Sequence, residues 1–347
     1  MKKLLLILLF GALILTAQSV FAQQETLNVL TYSSFAVSED LVKAFETENN
    51  VKLQFIESGD TPSMLNRAIL TKDAPIADVM IGINNVLLTH ALTNDVLDAY
   101  ESKELANIDP AYVLDTGHHA LPFNYGDVCI NYDLAWFADK GLEAPKSLEE
   151  LTDPKYKGLL VVENPASSAP GEAFLLLTIA EYGEEGFVDY WNRLLENDVE
   201  IVNDWSTAYY TNFTVGGGGL QPMVVSYDTS PAAVPFYADP PVDEAPTASI
   251  VADGTCYRMI EFIGILKNTK NRALAEKFVD AFLSKSWQED LPGQMFVYPV
   301  NKDAVMPEIF AKYAVQPENP VMLDASLVEE NFEKWIQIWN DQVLVNY

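Results

Sequence analysis

Short apolar strands alternate with helices along this chain, and the alternation limits the fold more than any other feature. The first strand is predicted over 27–32, and a helix follows it because Ser38 can cap an amphipathic stretch. Further strands are predicted over 51–56 and 77–83, with a helix that opens at Thr61 between them. Strands separated by helices imply a largely parallel sheet, whose ligand sites lie at the carboxyl ends of the strands.

The alternation restarts after residue 120. Strands are predicted over 123–132, 158–163, 199–202 and 223–227, and helices over 170–182 and 327–342. The segment 249–267 is extended, interrupted at Gly254 and Gly264, and we expect it to cross back to the first half. The sequence therefore predicts an α/β fold of two lobes with a central interlobe cleft. Lobe 1 is assigned to 23–120 and 249–310, lobe 2 to 121–248, and a C-terminal helical segment to 311–347.

The first 22 residues have the form of a cleavable signal peptide. Lys2 and Lys3 precede an apolar run over 4–17, and the segment closes with Ala22. The run is shorter than the about 20 apolar residues that a membrane span needs. We therefore predict export to the periplasm, with cleavage near Ala22.

Acidic residues greatly outnumber basic ones. The 347 residues include 50 Asp and Glu against 21 Lys and Arg, a net charge of −29. Removal of the predicted signal leaves 19 basic residues and a charge of −31. This charge disfavours nucleic-acid binding, which needs basic patches. The hydrophobic fraction of 49% is enough to build a core, so the charge does not indicate a disordered chain.

The chain contains two cysteines, Cys129 and Cys256, both in apolar and strand-like segments. In an oxidising compartment they can form a disulfide between the strands that connect the lobes. The alternative is a pair of small buried thiols. The sequence does not decide between the two.

Enzyme and metal signatures are missing from the sequence. It contains no G-x-S-x-G, H-E-x-x-H or C-x-x-C motif. The three histidines, His90, His118 and His119, are too few and too isolated for a zinc site. The four glycines 216–219 are followed by no lysine, so we interpret them as a flexible hairpin tip rather than a phosphate loop. No catalytic residue, metal or cofactor is predicted.

Aromatic and polar residues gather where the predicted strands end. In the first half these are Tyr32, Asp60 and Asn84. In the second half, comparable positions hold Tyr125, Ser167, Ser168, Gly171, Trp205, Tyr209, Tyr227 and Ser230. Because the strand ends converge on one edge of a parallel sheet, these residues predict a binding cleft.

Several motifs in this order carry a resemblance to a known family. They are Tyr32-Ser-Ser-Phe35, Asp60 before a helix, Ala77-Asp-Val-Met-Ile-Gly82, Pro122-Phe-Asn-Tyr-Gly126, Ser167-Ser-Ala-Pro-Gly171, Trp205-Ser-Thr-Ala-Tyr209, Ser226-Tyr-Asp-Thr-Ser-Pro231 and Tyr298-Pro-Val300. The chain resembles the iron-, polyamine- and thiamine-type solute-binding proteins of ABC importers over nearly its whole mature length. The first, sixth and seventh motifs favour the thiamine branch.

The resemblance implies a type II periplasmic binding protein with crossing hinge strands, which closes on thiamine or its phosphate esters. Tyr32, Trp205 and Tyr227 would stack on the ligand, and Asp60 would accept a hydrogen bond or offset positive charge. The segment 168–171, at the start of a helix, would receive a hydroxyl or phosphate group. The implied partners are a membrane permease and a separate ATPase, with the protein itself a monomer.

One position departs from the family pattern. The thiamine proteins that this chain resembles have a tryptophan before the Tyr-Pro pair, whereas this chain has Phe296 two residues before Tyr298. A phenyl ring offers an apolar face but lacks the indole N–H and is a weaker partner for cations. The choice between thiamine, its phosphates and a related pyrimidine depends on this position.

Three alternative functions remain at this point. The adjacent Tyr209 and Tyr210 suit ferric iron, since phenolates bind hard cations. A polyamine is the second alternative within the same fold. A thiamine-degrading enzyme of this fold is the third, and it would need a nucleophilic cysteine, for which Cys129 is the candidate.

Overall fold

The computed structural model describes residues 24–240, 242 and 244–347. The predicted signal peptide, 1–22, lies outside the described residues. The strands span β1 Glu25–Thr31, β2 Val51–Glu57, β3 Val79–Asn84, β4 Leu97–Asp98, β5 Leu121–Asp133, β6 Leu160–Glu163, β7 Glu200–Val202, β8 Met223–Tyr227, β9 Thr247–Ile250, β10 Tyr257–Leu266 and β11 Tyr298–Pro299.

Helices connect these strands and cover their faces. They span α1 Glu39–Asn49, α2 Thr61–Leu70, α3 Leu88–Thr93, α4 Leu134–Lys140, α5 Ala169–Glu196, α6 Trp205–Thr207, α7 Thr214–Gly217, α8 Ser230–Tyr237, α9 Arg272–Leu283, α10 Lys285–Met295, α11 Glu308–Tyr313 and α12 Ala325–Gln342. In the described part of the chain, no helix is long and apolar enough to cross a bilayer.

Two parallel groups of strands are joined by a pair of long antiparallel strands. The sheet order is β2-β1-β3-β10-β5-β8-β6-β7. Strands β1, β2 and β3 are parallel to one another, as are β6, β7 and β8. Strands β10 and β5 run antiparallel between the two groups. This topology confirms the predicted two-lobed α/β fold with crossing strands. The residue boundaries of the lobes stay a prediction.

Two large apolar clusters pack on the sheet, one around β1 to β3 and one that extends from the β6–β8 group to Leu30 of β1 and Met80 of β3. Around β1 to β3 the core includes Phe278, Phe282 and Trp287 from α9 and α10. Around β6 to β8 it includes Trp191 of α5 and Trp339 of α12, whose rings meet edge to face at 5.4 Å. The C-terminal helix α12 is therefore packed into the second core.

The segment 249–267 differs in detail from the prediction. It forms two strands, β9 and β10, and the chain turns between them at Gly254, which has a φ of 74°. Gly264 does not interrupt β10. A side chain there would come within 2.8 Å of the His119 carbonyl oxygen, so this glycine permits close packing rather than a turn.

The glycine run 216–219 is not the predicted hairpin tip. Residues 214–217 form the short helix α7, and the run packs against the preceding segment. A Cβ on Gly216 would lie 2.0 Å from the Tyr209 carbonyl oxygen, and one on Gly219 would lie 1.9 Å from that of Asn212. The glycines are required because backbone approaches backbone there.

A disulfide joins the two crossing strands. Cys129 of β5 is bonded to Cys256, which immediately precedes β10, with the two Cα atoms 4.3 Å apart. This confirms the disulfide and excludes the alternative of two buried thiols.

Candidate functional site

A cavity of about 260 Å³ lies where the two halves of the molecule face each other. Its lining residues come from the loop after β1, the starts of α2 and α5, the segment around α6, the end of β8, the middle of β10 and the end of α10. They are Tyr32, Ser34, Ala36, Asp60, Thr61, Ala169, Pro170, Trp205, Ser206, Tyr210, Tyr227, Glu261, Gln294, Met295, Phe296 and Val297. Both halves therefore contribute to one site.

Asp60 occupies the N-cap of α2 and points toward the other half. Its carboxylate accepts a hydrogen bond of 2.8 Å from the Thr61 backbone N–H. Burial raises the pKa of Asp60, whereas Thr61 N–H and then Ser168 and the Ala169 backbone N–H act to lower it. The Ser168 hydroxyl itself makes no regular hydrogen bond. Asp60 thus caps α2 and lies near the start of α5, and the N-terminal ends of both helices favour a negative charge.

Glu261 is a second carboxylate in the cavity lining. It was not among the predicted site residues because it lies in the middle of an extended segment rather than at a strand end. Its Oε2 accepts hydrogen bonds from Asn124 Nδ2 at 2.6 Å and from the Tyr32 hydroxyl at 3.2 Å. Burial raises its pKa to about 7, although both hydrogen bonds favour the ionised form. The sequence feature that could have identified Glu261 is the presence of an acidic residue inside the apolar run that forms β10.

Aromatic rings form much of the remaining lining. The Trp205 indole stacks on Tyr209 at 5.1 Å and meets the edges of Tyr210 and Phe296 at 5.4 and 6.1 Å. Its Nε1–H donates to Ser226 Oγ at 2.9 Å, which fixes the orientation of the ring. Such a cluster offers flat apolar faces to a ligand ring.

Two buried acids lie behind the cavity. Glu163, at the end of β6, and Glu172, in the first turn of α5, are both buried. Burial raises the pKa of each well above its ordinary value, and the charge of Asp60 raises it further. These two carboxyls therefore favour the neutral form, while Asp60 and Glu261 face the cavity.

The structure brings five of the twelve predicted site residues together in the cavity lining. They are Tyr32, Asp60, Trp205, Tyr227 and Phe296. Three others lie directly behind them. Tyr209 supports the ring of Trp205, Ser230 Oγ is 2.9 Å from Ser226 Oγ, and Ser168 precedes α5 beside Asp60.

The remaining four predicted residues do not line the cavity. Asn84 donates to Glu172 Oε2 at 2.7 Å, and Ser167 Oγ donates to the Asn203 carbonyl at 2.7 Å. Tyr125 is stacked between two other tyrosines and lies 4.9 Å from the Arg258 guanidinium. Gly171 allows α5 to approach β6, since a Cβ there would lie 2.6 Å from the Glu163 carbonyl oxygen. These four residues stabilise the structure around the cavity without lining it.

Besides Glu261, the predicted binding cleft omitted Tyr210, which was considered only as an iron ligand; it is half exposed and lines the cavity. Its neighbour Tyr209 is buried and does not line the cavity, so the pair does not present two phenols to one ligand. Within the described residues, no group of three or more His, Cys, Asp or Glu side chains is arranged to hold a metal ion.

Comparison with known proteins places this geometry in a family. Residues 74–316 match the family described as bacterial extracellular solute-binding protein. The chain is 30% identical over 337 residues to the thiamine-binding periplasmic protein of Salmonella typhimurium, covering 95% of this chain and 97% of the relative. It is 28% identical over 336 residues to the protein of that name from Escherichia coli, with the same coverage.

Solved structures share the fold. A periplasmic thiamin binding protein superimposes with a TM-score of 0.81 at 26% identity, covering 92% of this chain and 96% of the other. A ferric binding protein from Campylobacter jejuni gives 0.73 at 19% identity, covering 91% and 98%, and this likeness concerns the fold alone. From its sequence, its two-lobed topology and its interlobe cavity, the chain belongs to the bacterial extracellular solute-binding protein family.

Proposed function

We propose that this protein is a periplasmic receptor that binds thiamine and delivers it to an ABC transporter. The observation that carries the proposal is the pairing of aromatic faces with two carboxylates, Asp60 and Glu261, in one cavity. The thiamine-binding relatives, which match nearly the full chain, support the same ligand.

The chemistry of thiamine suits this lining. Thiamine has a permanently cationic thiazolium ring and a flat aminopyrimidine ring. Tyr32, Trp205 and Tyr227 offer faces on which these rings can stack, and each cation–ring contact contributes about 0.5–2 kcal/mol. Asp60 is the acceptor for the pyrimidine amine, and Glu261 offsets the positive charge. An anionic solute would be repelled by the two carboxylates.

Binding is coupled to closure of the two halves. Tyr32 and Asp60 belong to the first half, whereas Trp205 and Tyr227 belong to the second, so a ligand that contacts all four stabilises the closed state. A membrane permease would recognise that state, with ATP hydrolysed by a separate chain. Thiamine phosphates are the alternative ligands, and we propose that the receptor acts as a monomer.

The competing functions are less well supported. A polyamine would pair its ammonium groups with Asp60 and Glu261 and place them over ring faces, but it has no flat ring to stack on those faces. A thiamine-degrading enzyme would need Cys129 as a nucleophile, yet that sulfur is bonded to Cys256 and is buried. We therefore propose binding without turnover.

Native mass spectrometry of freshly purified protein tests this function, because tight ligands of such receptors survive purification. We expect the folded protein to carry one added mass equal to thiamine, and the denatured protein to lack it. The Trp205→Ala variant, purified in parallel, should carry less. An added mass equal to a polyamine or to iron would contradict the proposal.

A further inference from the structure

Strands β8 and β11 lie end to end along one edge of β5. Strand β8 pairs with residues 128–132 of β5, and β11 pairs with residues 124–125. Strand β10 pairs with residues 121–128 and therefore occupies the opposite edge. The end of β8 meets the start of β11, and each side of this junction carries a ring of the cavity lining. Tyr227 is the last residue of β8, and Phe296 lies two residues before β11 begins at Tyr298.

Two hydrogen bonds join the two sides of this junction. The Tyr298 hydroxyl donates to Asp228 Oδ2 at 2.7 Å, and the Thr229 hydroxyl donates to the Phe296 carbonyl. Asp228 is also fixed to β5, because its N–H donates to the Asp127 carbonyl at 2.8 Å and its Oδ1 accepts from the Asp127 N–H at 3.2 Å. Asp228 and Thr229 are buried, so solvent does not compete for these bonds.

The backbone of Phe296 needs this support because its conformation is unfavourable. Phe296 follows α10 with a φ of 58° and a ψ of 41°, the left-handed region that glycine usually occupies after a helix. An aromatic residue stays in this region only when its surroundings hold it there. Thr229 precedes α8, yet its side chain makes no capping hydrogen bond to that helix. The Thr229 hydroxyl therefore acts on Phe296 rather than on its own helix.

We propose that Thr229 and Tyr298 are positioning residues for ligand binding, which hold the Phe296 ring in the cavity wall. This inference rests on the proposed function and adds two residues that do not themselves line the cavity. With both bonds in place, the Phe296 ring stays 6.1 Å from the Trp205 ring before a ligand arrives. Without them, the backbone of Phe296 relaxes and the ring leaves this position. A ligand then has to restore the arrangement, which weakens its binding.

A double-mutant cycle, measured by isothermal titration calorimetry with thiamine, tests the proposal. Thr229→Val keeps the branched shape of the side chain and removes the hydroxyl. We expect it to weaken thiamine binding about three- to tenfold, the range that the net contribution of one hydrogen bond allows. In the Phe296→Ala protein, the same change at Thr229 should alter the affinity by less than about twofold, because no ring is left to position. Equal losses in the presence and absence of the Phe296 ring would overturn the proposal.

Conservative and matched variants separate positioning from a general loss of structure. Thr229→Ser keeps the hydroxyl and should bind thiamine within about twofold of the unaltered protein. Tyr298→Phe removes a hydroxyl but keeps the ring that stacks on Tyr125 at 5.0 Å, and it should weaken binding as Thr229→Val does. Thr255→Val removes another buried hydroxyl that donates to backbone carbonyls, outside the cavity lining, and should leave the affinity unchanged.

The outcomes distinguish this inference from the proposed function. Normal thiamine binding by both Thr229→Val and Tyr298→Phe would overturn the inference and leave the proposed function intact. A Thr229→Ser variant as weak as Thr229→Val would also overturn it, because the hydroxyl would then not be the group that matters. If Thr229→Val does not fold, Tyr298→Phe in the presence and absence of the Phe296 ring decides in the same way. Failure of the unaltered, ligand-free protein to bind thiamine would overturn the proposed function itself.

Discussion

The Tyr32 hydroxyl donates a hydrogen bond to Glu261 Oε2 at 3.2 Å, which joins the end of β1 to the crossing strand β10 beside the cavity. The Tyr32 ring also lies directly over Gly82, where an added Cβ would come within 2.2 Å of it. The Glu261 carboxylate and the Gly82 backbone thus fix the position of the Tyr32 ring. Because these contacts fix the Tyr32 ring without a ligand, less side-chain entropy is lost when a ligand binds.

The packing of Tyr32 on Gly82 predicts the effect of adding one methyl group. Gly82→Ala should lower the free energy of unfolding by about 1–3 kcal/mol or more, because the methyl meets the ring and Gly82 has a φ of 106°. Urea denaturation measures this. Gly141→Ala, at a φ of 60° with open space around it, isolates the backbone cost. Equal losses in the two variants would show that Tyr32 simply moves aside.

Trp205 is expected to contribute strongly to ligand binding. Trp205→Ala should weaken thiamine binding at least tenfold, which corresponds to about 1.4 kcal/mol, because the cation–ring face of the indole is lost to the ligand. Calorimetry measures the change. Trp136→Ala removes an indole from α4, away from the cavity, and should bind as the unaltered protein does. Similar losses in both variants would indicate a general loss of structure.

Phe296 is expected to limit the affinity for thiamine, and its replacement by tryptophan should raise that affinity. The Thr229 hydroxyl donates to the Phe296 carbonyl, and the ring meets Trp205 and the half-exposed Tyr237. Phe296→Trp should bind thiamine about threefold more tightly, since indole is the better cation partner. Phe236→Trp, outside the lining, is the control for added indole surface. Weaker binding by the Phe296 variant would mean that shape, not ring electronics, decides at this position.

The raised pKa of Glu261 predicts that folding stability and thiamine affinity change in opposite directions as the pH rises. Its pKa is raised from 4.5 to about 7 by burial, so the ligand-free fold loses stability as the pH rises through that interval. A bound cation favours the ionised carboxylate, so thiamine affinity should rise as the pH passes from 6 to 8. Calorimetry across this range checks the trend. A Glu261→Gln variant that keeps the same pH dependence would assign it to another group.

The disulfide should stabilise the fold without taking part in binding. It closes a sequence separation of 127 residues, and its loss costs about 2–5 kcal/mol. The double variant Cys129→Ala/Cys256→Ala should therefore unfold at lower urea concentration. Its thiamine affinity should stay within twofold, because neither residue lines the cavity. A folded double variant with tenfold weaker binding would connect the disulfide to the site.

Local patterns were sufficient to predict most strands and the starts of α1, α2, α5 and, within two residues, α12. Apolar β-rich runs mark β1, β2 and β6, and Pro62 and Pro170 lie in the first turn of α2 and α5. The long helix after Pro170 was predicted to end near residue 182, and α5 does leave helical geometry at Gly183 before it continues to Glu196. Its continuation depends on packing against α12, which no local pattern contains.

The site was only partly predictable, because side-chain direction depends on tertiary contacts. Asn84 and Tyr125 were expected at strand ends that face the cavity, but both lie within strands. The Asn84 side chain bonds to Glu172, and the Tyr125 ring is stacked between two other tyrosines. Glu261 lies next to shifts in the pairing of β10 with β3 and β5. Such irregularities redirect side chains, and their position depends on the neighbouring strands rather than on one sequence.

The central claim is that the cavity is built for thiamine, and competitive calorimetry on ligand-free protein tests it most directly. The protein is unfolded, dialysed to remove retained ligand, refolded, and titrated separately with thiamine, spermidine and ferric citrate. We expect thiamine to bind with 1:1 stoichiometry and at least a hundredfold more tightly than either competitor. Tighter binding of spermidine or ferric citrate, or no heat from thiamine in refolded protein, would contradict the account.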